Sequence, residues 1–356
     1  MKKLMKGNFA LAEGAIRAGC RMFAGYPITP QTEILEYLST HMAEAGGQFV
    51  QTESELAGIN MVIGAAAAGQ RAMTSSSGPG FSLKQEGISY LASMELPAVI
   101  IDVMRYGIGL GNVVLGQADY FQATKGGGHG GYKVPVYAPS SVQENADYVF
   151  KAFETAENYR TPVIILSDAA IGQMMGAVEL PAPIKHDINK FDWTLKGRDA
   201  AHPNGRKMTD VIYYDYAYDE YDPHIRERYG KMHDELQQWE EVQTDDAELL
   251  LVAYGISSRV CKEAVKLGRA EGIKVGLLRP ITLWPFPEKA MEKFNGKIKG
   301  YVTVEMNACG QMVEDVALHA HGTKVYSNPT GRKVADSEDL VALLKEILKG
   351  NVKEAF

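Results

Sequence analysis

Through residues 1–182 short apolar runs, each stopped by glycine, proline or a polar cluster, alternate with stretches of helical period. Ala10–Ile16 reads as a helix. Arg21-Met22-Phe23-Ala24-Gly25-Tyr26 is an apolar run ended by Pro27, after which Thr29 and Pro30 open a helix through Glu33–Leu38, proline being suited to a first helical turn. Gln48–Gln51, Arg71–Thr74, Pro97–Met104 and Pro162–Ser167 read as further strands, and Glu55–Ala68 as a helix rich in small residues. Buried strands alternating with helices predict an α/β fold with a doubly wound parallel sheet, whose ligands gather at the carboxyl ends of the strands.

The pattern breaks from 183 to 246. This stretch holds a tyrosine- and aspartate-rich piece, Tyr213–Tyr221, and a charged helix candidate over Ile225–Glu241, and reads as an interdomain arm or a subunit contact. A second α/β pattern starts at Glu248–Gly255 and continues through Lys274–Leu278 and Gly300–Glu305. The chain therefore divides at 182 and 246 into two domains joined by an arm, each domain long enough to bury a core.

Composition narrows the class. Of 356 residues 46% are hydrophobic and 23% charged, and 36 are glycine, ordinary for an α/β protein. A net charge of −7 argues against nucleic-acid partners, which need a basic surface. No apolar run reaches the ~18 residues of a membrane span. The basic start, Met1–Gly7, runs into Glu13 and Arg17 and is no signal peptide; the expected location is the cytoplasm. Cys20, Cys261 and Cys309 are far apart, without a C-x-x-C pair. A disulfide framework, or a metal or iron–sulfur site built by this chain alone, is not expected.

Several polar residues follow strand ends. Thr29 follows the first strand in Gly25-Tyr26-Pro27-Ile28-Thr29-Pro30, Glu53 and Glu55 the second, Ser75-Ser76-Ser77-Gly78-Pro79-Gly80 the third, and Arg105 the fourth. Taken singly, Thr29 reads equally as a helix cap, the Ser/Gly run as a solvated turn, and Arg105 as a surface charge. Together they mark one edge of the sheet. The carboxylate that opens Leu56–Gly69 is more telling, because this helix looks buried on nearly every side. An acid at its mouth is partly desolvated and can share a proton with a ring nitrogen, unless it is simply an acidic first turn favoured by the helix dipole.

With these residues in view the chain resembles the alpha, pyrimidine-binding subunits of 2-oxoacid:ferredoxin oxidoreductases. The resemblance rests on Gly25–Pro30, on Glu53-Ser54-Glu55-Leu56-Ala57-Gly58-Ile59 with its small-residue helix, and on Thr74–Gly80. Val252–Arg259 and Leu278–Pro287 are similar to the transketolase-C-like domain that follows in such subunits. The likeness covers nearly all of the chain except 183–246. It implies a thiamine-pyrimidine-binding domain over 1–182, the arm, and a transketolase-C-like domain over 247–356. The family oxidises a 2-oxoacid with coenzyme A to an acyl-CoA and CO2, using thiamine diphosphate and iron–sulfur clusters and reducing ferredoxin.

The resemblance also implies roles. Its invariant acid bonds the aminopyrimidine and promotes deprotonation of thiazolium C2, and lies nine positions before a helix glycine. Glu55 stands nine before Gly64 and Glu53 eleven, so the role falls to Glu55. Pro27, Ile28, Ser76, Ser77 and Gly78 join it around the cofactor. Thr29 and Arg105 take the substrate's oxo and carboxylate oxygens, a task suited to the planar arginine fork. Gly-Asp-Gly, which carries Mg2+ and the diphosphate in thiamine enzymes, does not occur here, nor does a cluster-binding cysteine pattern. Mg2+, the diphosphate site and [4Fe-4S] clusters are thus expected in partner chains: a beta subunit that shares the cofactor, a gamma subunit and a ferredoxin-like delta subunit. The apolar loop with Ile108 and Leu110 is similar to that of subunits acting on 2-oxoisovalerate and favours a branched side chain. His129, in its glycine run, reads either as a site contact or as a loop histidine bonded to backbone. 2-Oxoglutarate or pyruvate as substrate, another thiamine reaction, or a noncatalytic assembly subunit are the competing readings.

Overall fold

The computed structural model describes residues 2–212 and 217–356. Much of the tyrosine-rich piece therefore lies outside the described residues.

A seven-stranded sheet has the order β12-β6-β7-β5-β4-β2-β3. Its strands are β2 (Met22–Gly25), β3 (Gln48–Gln51), β4 (Ala72–Ser76), β5 (Ala98–Met104), β6 (Val136–Tyr137), β7 (Pro162–Asp168) and β12 (Thr282–Trp284). All neighbours are parallel except β12, which runs antiparallel to β6. The helices between these strands are α2 (Thr32–His41), α3 (Glu55–Ala67), α4 (Pro79–Ser93) and α6 (Val142–Tyr159); α1 (Gly7–Arg17) precedes them.

Strand periodicity sorts the helices onto two faces. Val99, Ile101, Val103 and Phe23 pack with Leu11, Ile34, Leu38 and Phe153 of α1, α2 and α6. Ala98, Ile100, Met104 and Ala24 pack with Ile59, Val62, Ile88 and Leu91 of α3 and α4. The chain leaves β2 for β3 on one side and returns to β4 on the other. The loops after β2 and β4 thus flank a switch point, where open α/β sheets bind ligands. The predicted doubly wound sheet is present.

A five-stranded sheet, β14-β13-β10-β11-β9, forms the C-terminal part. Its strands are β9 (Trp239–Val242), β10 (Leu249–Val252), β11 (Val275–Pro280), β13 (Gly300–Glu305) and β14 (Val325–Pro329). Helices α9 (Gly255–Ala270), α10 (Glu288–Glu292), α11 (Met312–His319) and α12 (Ser337–Leu348) accompany it. A two-stranded ribbon pairs β1 (Lys3–Lys6) with β8 (Met175–Val178); the chain also carries the short helices α5 (Tyr120–Thr124) and α7 (Ala169–Gln173), and α8 (Asp222–Glu235). The helix expected over Ile225–Glu241 ends at Glu235. Trp239–Val242 instead forms an edge strand antiparallel to β11, a case of tertiary pairing overriding helical propensity.

The two sheets are bound together. β12 from the C-terminal part adds to the first sheet, and one core cluster carries Tyr254, Leu278, Phe286 and Met312 together with Tyr120 and Val136. Arg279, 1% exposed, donates to Glu144 at 2.9 Å and to Glu240 at 3.1 Å. Gln117 spans the junction, donating to the Tyr254 carbonyl at 3.1 Å and accepting from the Met306 N–H at 3.1 Å. Cys20 and Cys261 are buried and Cys309 is exposed. No described helix is long and apolar enough to cross a membrane.

Candidate functional site

Because β2, β3, β4 and β5 are parallel neighbours, their carboxyl ends bring Thr29, Glu55, Ser76–Gly78 and Arg105 to one edge. Glu55 begins α3, whose cap is the Ser54 hydroxyl, accepting from the Ala57 N–H at 3.2 Å. Glu55 is 6% exposed, whereas Glu53 is exposed. Among the described residues the Glu55 carboxylate accepts no hydrogen bond. It faces Gly80 in the first turn of α4, where a built Cβ would collide with both that carboxylate and the Ser76 hydroxyl. Glycine there leaves room over the acid.

The turn before α4 is buried rather than solvated. Ser75, Ser76 and Ser77 are fully buried. Ser75 donates to Gln31 at 2.6 Å, but among the described residues the hydroxyls of Thr74, Ser76 and Ser77 have no partner. A buried polar group without a partner is costly and fits a ligand's polar edge. Gly78, with φ +48, makes the sharp turn that starts α4.

Arg105 is 7% exposed, so the surface-charge alternative is excluded. Its guanidinium donates to the Thr29 carbonyl at 3.0 Å and the Leu110 carbonyl at 2.5 Å, while Nε has no partner and lies 3.3 Å from where a Gly78 Cβ would stand. Three N–H groups remain for an anion. Thr29 is exposed and caps nothing, because α2 starts at Thr32 with Gln31 before it. Pro27 and Ile28 are half-buried between β2 and Thr29.

One expectation needs correction, and the structure places the other candidates as follows. α3 is not buried on nearly every side: Leu56 and Met61 are 44% and 39% exposed, and Asn60, Gly64 and Ala68 on the same side are exposed too. Small and apolar residues occur on exposed surface as well as in cores, and a sequence does not distinguish the two. Ile108 and Leu110 stand 96% and 80% exposed on a loop pinned by Asn112 N–H to Tyr106 carbonyl (2.8 Å). Ile108 lines a cavity of ≈480 Å³ together with Tyr106 and Val114, facing Asn307, Gln311 and Arg332, whereas Leu110 does not border it. His129 is exposed, its N–H donating to Ser89 at 3.2 Å and its ring stacked on Tyr90.

Lys84 went unread because a lone helix lysine has no sequence signature. It is fully buried one turn beyond Gly80, and its ammonium donates to the Glu55 carbonyl at 3.1 Å. Burial pulls it down to about 8, opposed by the nearby Glu55 charge. A lysine whose folded value lies below its unfolded one destabilises the fold at pH below about 8, and the penalty fades as pH rises toward 10.5. Lys84→Met is therefore expected to raise the melting temperature at pH 7, by up to about 3 kcal/mol of stability, with the gain shrinking between pH 8 and 10.5. Thermal scans across that range check it; a pH-independent gain, or a loss at pH 7, contradicts it.

The chain's likenesses are specific. The model of the pyruvate flavodoxin/ferredoxin oxidoreductase, thiamine-diphosphate-binding family matches residues 13–243, and that of pyruvate:ferredoxin oxidoreductase core domain II matches 247–337. Ketoisovalerate oxidoreductase subunit VorB of Methanothermobacter thermautotrophicus is 46% identical, with 97% of each chain covered. 2-Oxoglutarate synthase subunit KorA of Methanocaldococcus jannaschii is 38% identical over 88% of this chain and 90% of its own. Among solved structures, 2-oxoglutarate:ferredoxin oxidoreductase from Magnetococcus marinus, with 2-oxoglutarate, coenzyme A and succinyl-CoA bound, superposes with a TM-score of 0.87 at 28% identity. That match covers 97% of this chain, which spans 65% of the other.

Proposed function

We propose, because the chain belongs to the pyruvate flavodoxin/ferredoxin oxidoreductase family, that it forms the pyrimidine half of the thiamine site in a heteromeric branched-chain 2-oxoacid:ferredoxin oxidoreductase. The observation that carries this is Glu55: a buried acid with no hydrogen-bond partner, beside orphaned serine hydroxyls, with Gly80 leaving space above it. These residues fit an aminopyrimidine, whose ring nitrogen would meet the acid and whose amine would meet the hydroxyls. Thiamine diphosphate, when bound, supplies an acidic ring carbon that becomes the nucleophile toward a 2-oxo group.

Glu55 holds and exchanges the proton at the ring nitrogen. Pro27, Ile28, Ser76, Ser77 and Gly78 shape the walls. Arg105 pairs with the substrate carboxylate through its remaining N–H groups, and Thr29 lies beside the oxo oxygen. The division into a pyrimidine-binding domain over 1–182, an arm over 183–246 and a transketolase-C-like domain over 247–356 belongs to the same reading. Mg2+ and the diphosphate are held by a beta subunit, iron–sulfur clusters sit in partner chains, and gamma and ferredoxin-like delta subunits complete the complex, which operates in the cytoplasm with coenzyme A as co-substrate. Supporting the partner reading, Leu56, Met61, Leu83, Ile108, Leu110 and Val113 are large exposed apolar residues near the site edge, a patch of the kind that interfaces cover.

The preferred substrate is 2-oxoisovalerate. Two VorB ketoisovalerate subunits are 46–47% identical to this chain, four KorA 2-oxoglutarate subunits 37–40% and a VorA ketoisovalerate subunit 29%, and the loop after Arg105 itself carries no cation, Arg332 lying across its cavity. Viologen reduction by the native complex, with coenzyme A and each of 2-oxoisovalerate, 2-oxoglutarate and pyruvate, tests this. Highest kcat/KM is expected for 2-oxoisovalerate, with margins of about 10- to 200-fold as one apolar pocket allows. A strong 2-oxoglutarate preference would overturn the substrate; no reduction with any 2-oxoacid would overturn the function.

A further inference from the structure

Behind the proposed substrate arginine stand two buried carboxyl groups that play no part in the chemistry above. Asp102 lies three residues before Arg105 on β5 and is fully buried; Asp119 immediately precedes α5 and is 4% exposed. They lie against each other, with the Arg105 charge near both. Asp119 receives donors: the Gln122 amide bonds one oxygen, and the Gly78 N–H approaches the carboxylate. Among the described residues Asp102 receives none. Both of its oxygens and the second oxygen of Asp119 are buried without a donor.

An ionised carboxylate only accepts, and two of them in contact away from water cannot both stay charged. A proton between the two satisfies the orphaned oxygens. Because Asp119 already collects N–H donors, it is the acceptor, and Asp102 is the acid. We propose that Asp102 donates a retained proton to Asp119, and that this singly charged pair positions Arg105 and the Gly78 turn for the substrate carboxylate. The pair ties together the end of β5, the turn before α4 and the start of α5, three segments that frame the site. One negative charge balances Arg105 so that an incoming carboxylate meets no net repulsion. A doubly charged pair would oppose it.

Burial, and then the Asp119 charge, push the Asp102 carboxyl well above its ordinary value, in keeping with a retained proton. The titratable groups facing the pair are Arg105 at the end of β5 and Tyr254 before α9, whose phenol also feels Asp168 of β7 and Glu305 of β13. The tyrosine is itself pushed up by burial and by these acids, so it stays neutral.

The role in positioning Arg105 rests on the proposed 2-oxoacid chemistry; the shared proton does not. Asp102→Asn keeps a donor toward Asp119 without a charge, and should leave KM for 2-oxoisovalerate in the native complex within about threefold of wild type. Asp119→Asn turns an amide toward the Gln122 and Gly78 donors and so loosens the turn and the arginine that the pair holds in place, a loss of position that outweighs the added pull of an unbalanced Arg105 charge. It should raise KM by about tenfold or more, with kcat changed less. In thermal scans of the full chain, the raised folded-state value of Asp102 means that stability is full below the unfolded value near 3.8 and is lost as pH rises. Asp102→Asn lacks that loss, so its melting temperature should gain on wild type as pH rises above about 4, until Asp102 ionises in the folded chain. Equal damage from both substitutions, tolerance of Asp119→Asn, or a pH-independent melting gap would overturn the proposal. A wild-type complex inactive on every 2-oxoacid would count against the thiamine reading alone, and the melting gap would still decide the shared proton.

Discussion

Glu55→Gln is expected to lower 2-oxoacid oxidation by the assembled complex by about 10²–10⁴-fold, the range for loss of a proton-transfer group. The amide keeps the volume and the cap geometry of α3, so the chain should fold and assemble as before. What it loses is the ability to exchange a proton with a ring nitrogen. Hydrogen–deuterium exchange at thiazolium C2, followed by NMR after acid quench, reads that loss directly. Glu53→Gln serves as the control: Glu53 is exposed two residues earlier and its loss should leave exchange within a few-fold of wild type, by the modest effect of a surface substitution. If Glu53→Gln stopped the exchange and Glu55→Gln did not, the acid would be Glu53.

Arg105→Ala should raise KM by about 10²-fold for 2-oxoisovalerate, 2-oxoglutarate and pyruvate alike, the size associated with removing one partner of a buried charge pair. The uniform factor follows from the carboxylate that all three share; a side-chain contact would discriminate. Part of the effect passes through the main chain, because Arg105 also holds the Thr29 and Leu110 carbonyls at 3.0 and 2.5 Å. Arg105→Lys separates the two contributions. It keeps the charge but not the planar fork, so it should recover part of KM while the loop around Leu110 stays loose. A loss confined to one 2-oxoacid would contradict a carboxylate role.

The sheet was legible where strands are buried on both faces. Val99-Ile100-Ile101 inside β5 and Val163-Ile164-Ile165 inside β7 are unbroken apolar runs, and their order with intervening helices set the strand ends on which Thr29, Glu55, Ser76 and Arg105 converge. Elements that depend on distant partners were not legible. β12 is three residues long and exists by pairing with β6, and β9 interrupts a charged helical pattern because β11 offers an edge. The exposed side of α3 is hidden in the sequence for a general reason: small and apolar residues do not by composition tell an exposed face from a core. Ile108 and Leu110 carry the same ambiguity: both protrude from an apolar loop, and Ile108 also lines the cavity beside it. Asp102 did leave a trace, an acid inside an apolar seven-residue strand, and such an interruption rewards scrutiny even with no motif around it. Lys84 left none, because only the packing of α4 against the start of α3 reveals that its ammonium is buried.

In the function proposed above, this chain holds half of a thiamine site, the acid and pyrimidine half, and a partner supplies the charges for the diphosphate. Calorimetric titration with thiamine diphosphate and Mg2+ tests it, run on the purified chain and on the native complex stripped of cofactor. The predicted result is saturable binding by the complex at about micromolar concentration, roughly −8 kcal/mol, with no measurable heat for the chain alone. Equally tight binding by the isolated chain, or none by a complex whose subunits are intact, would contradict the claim.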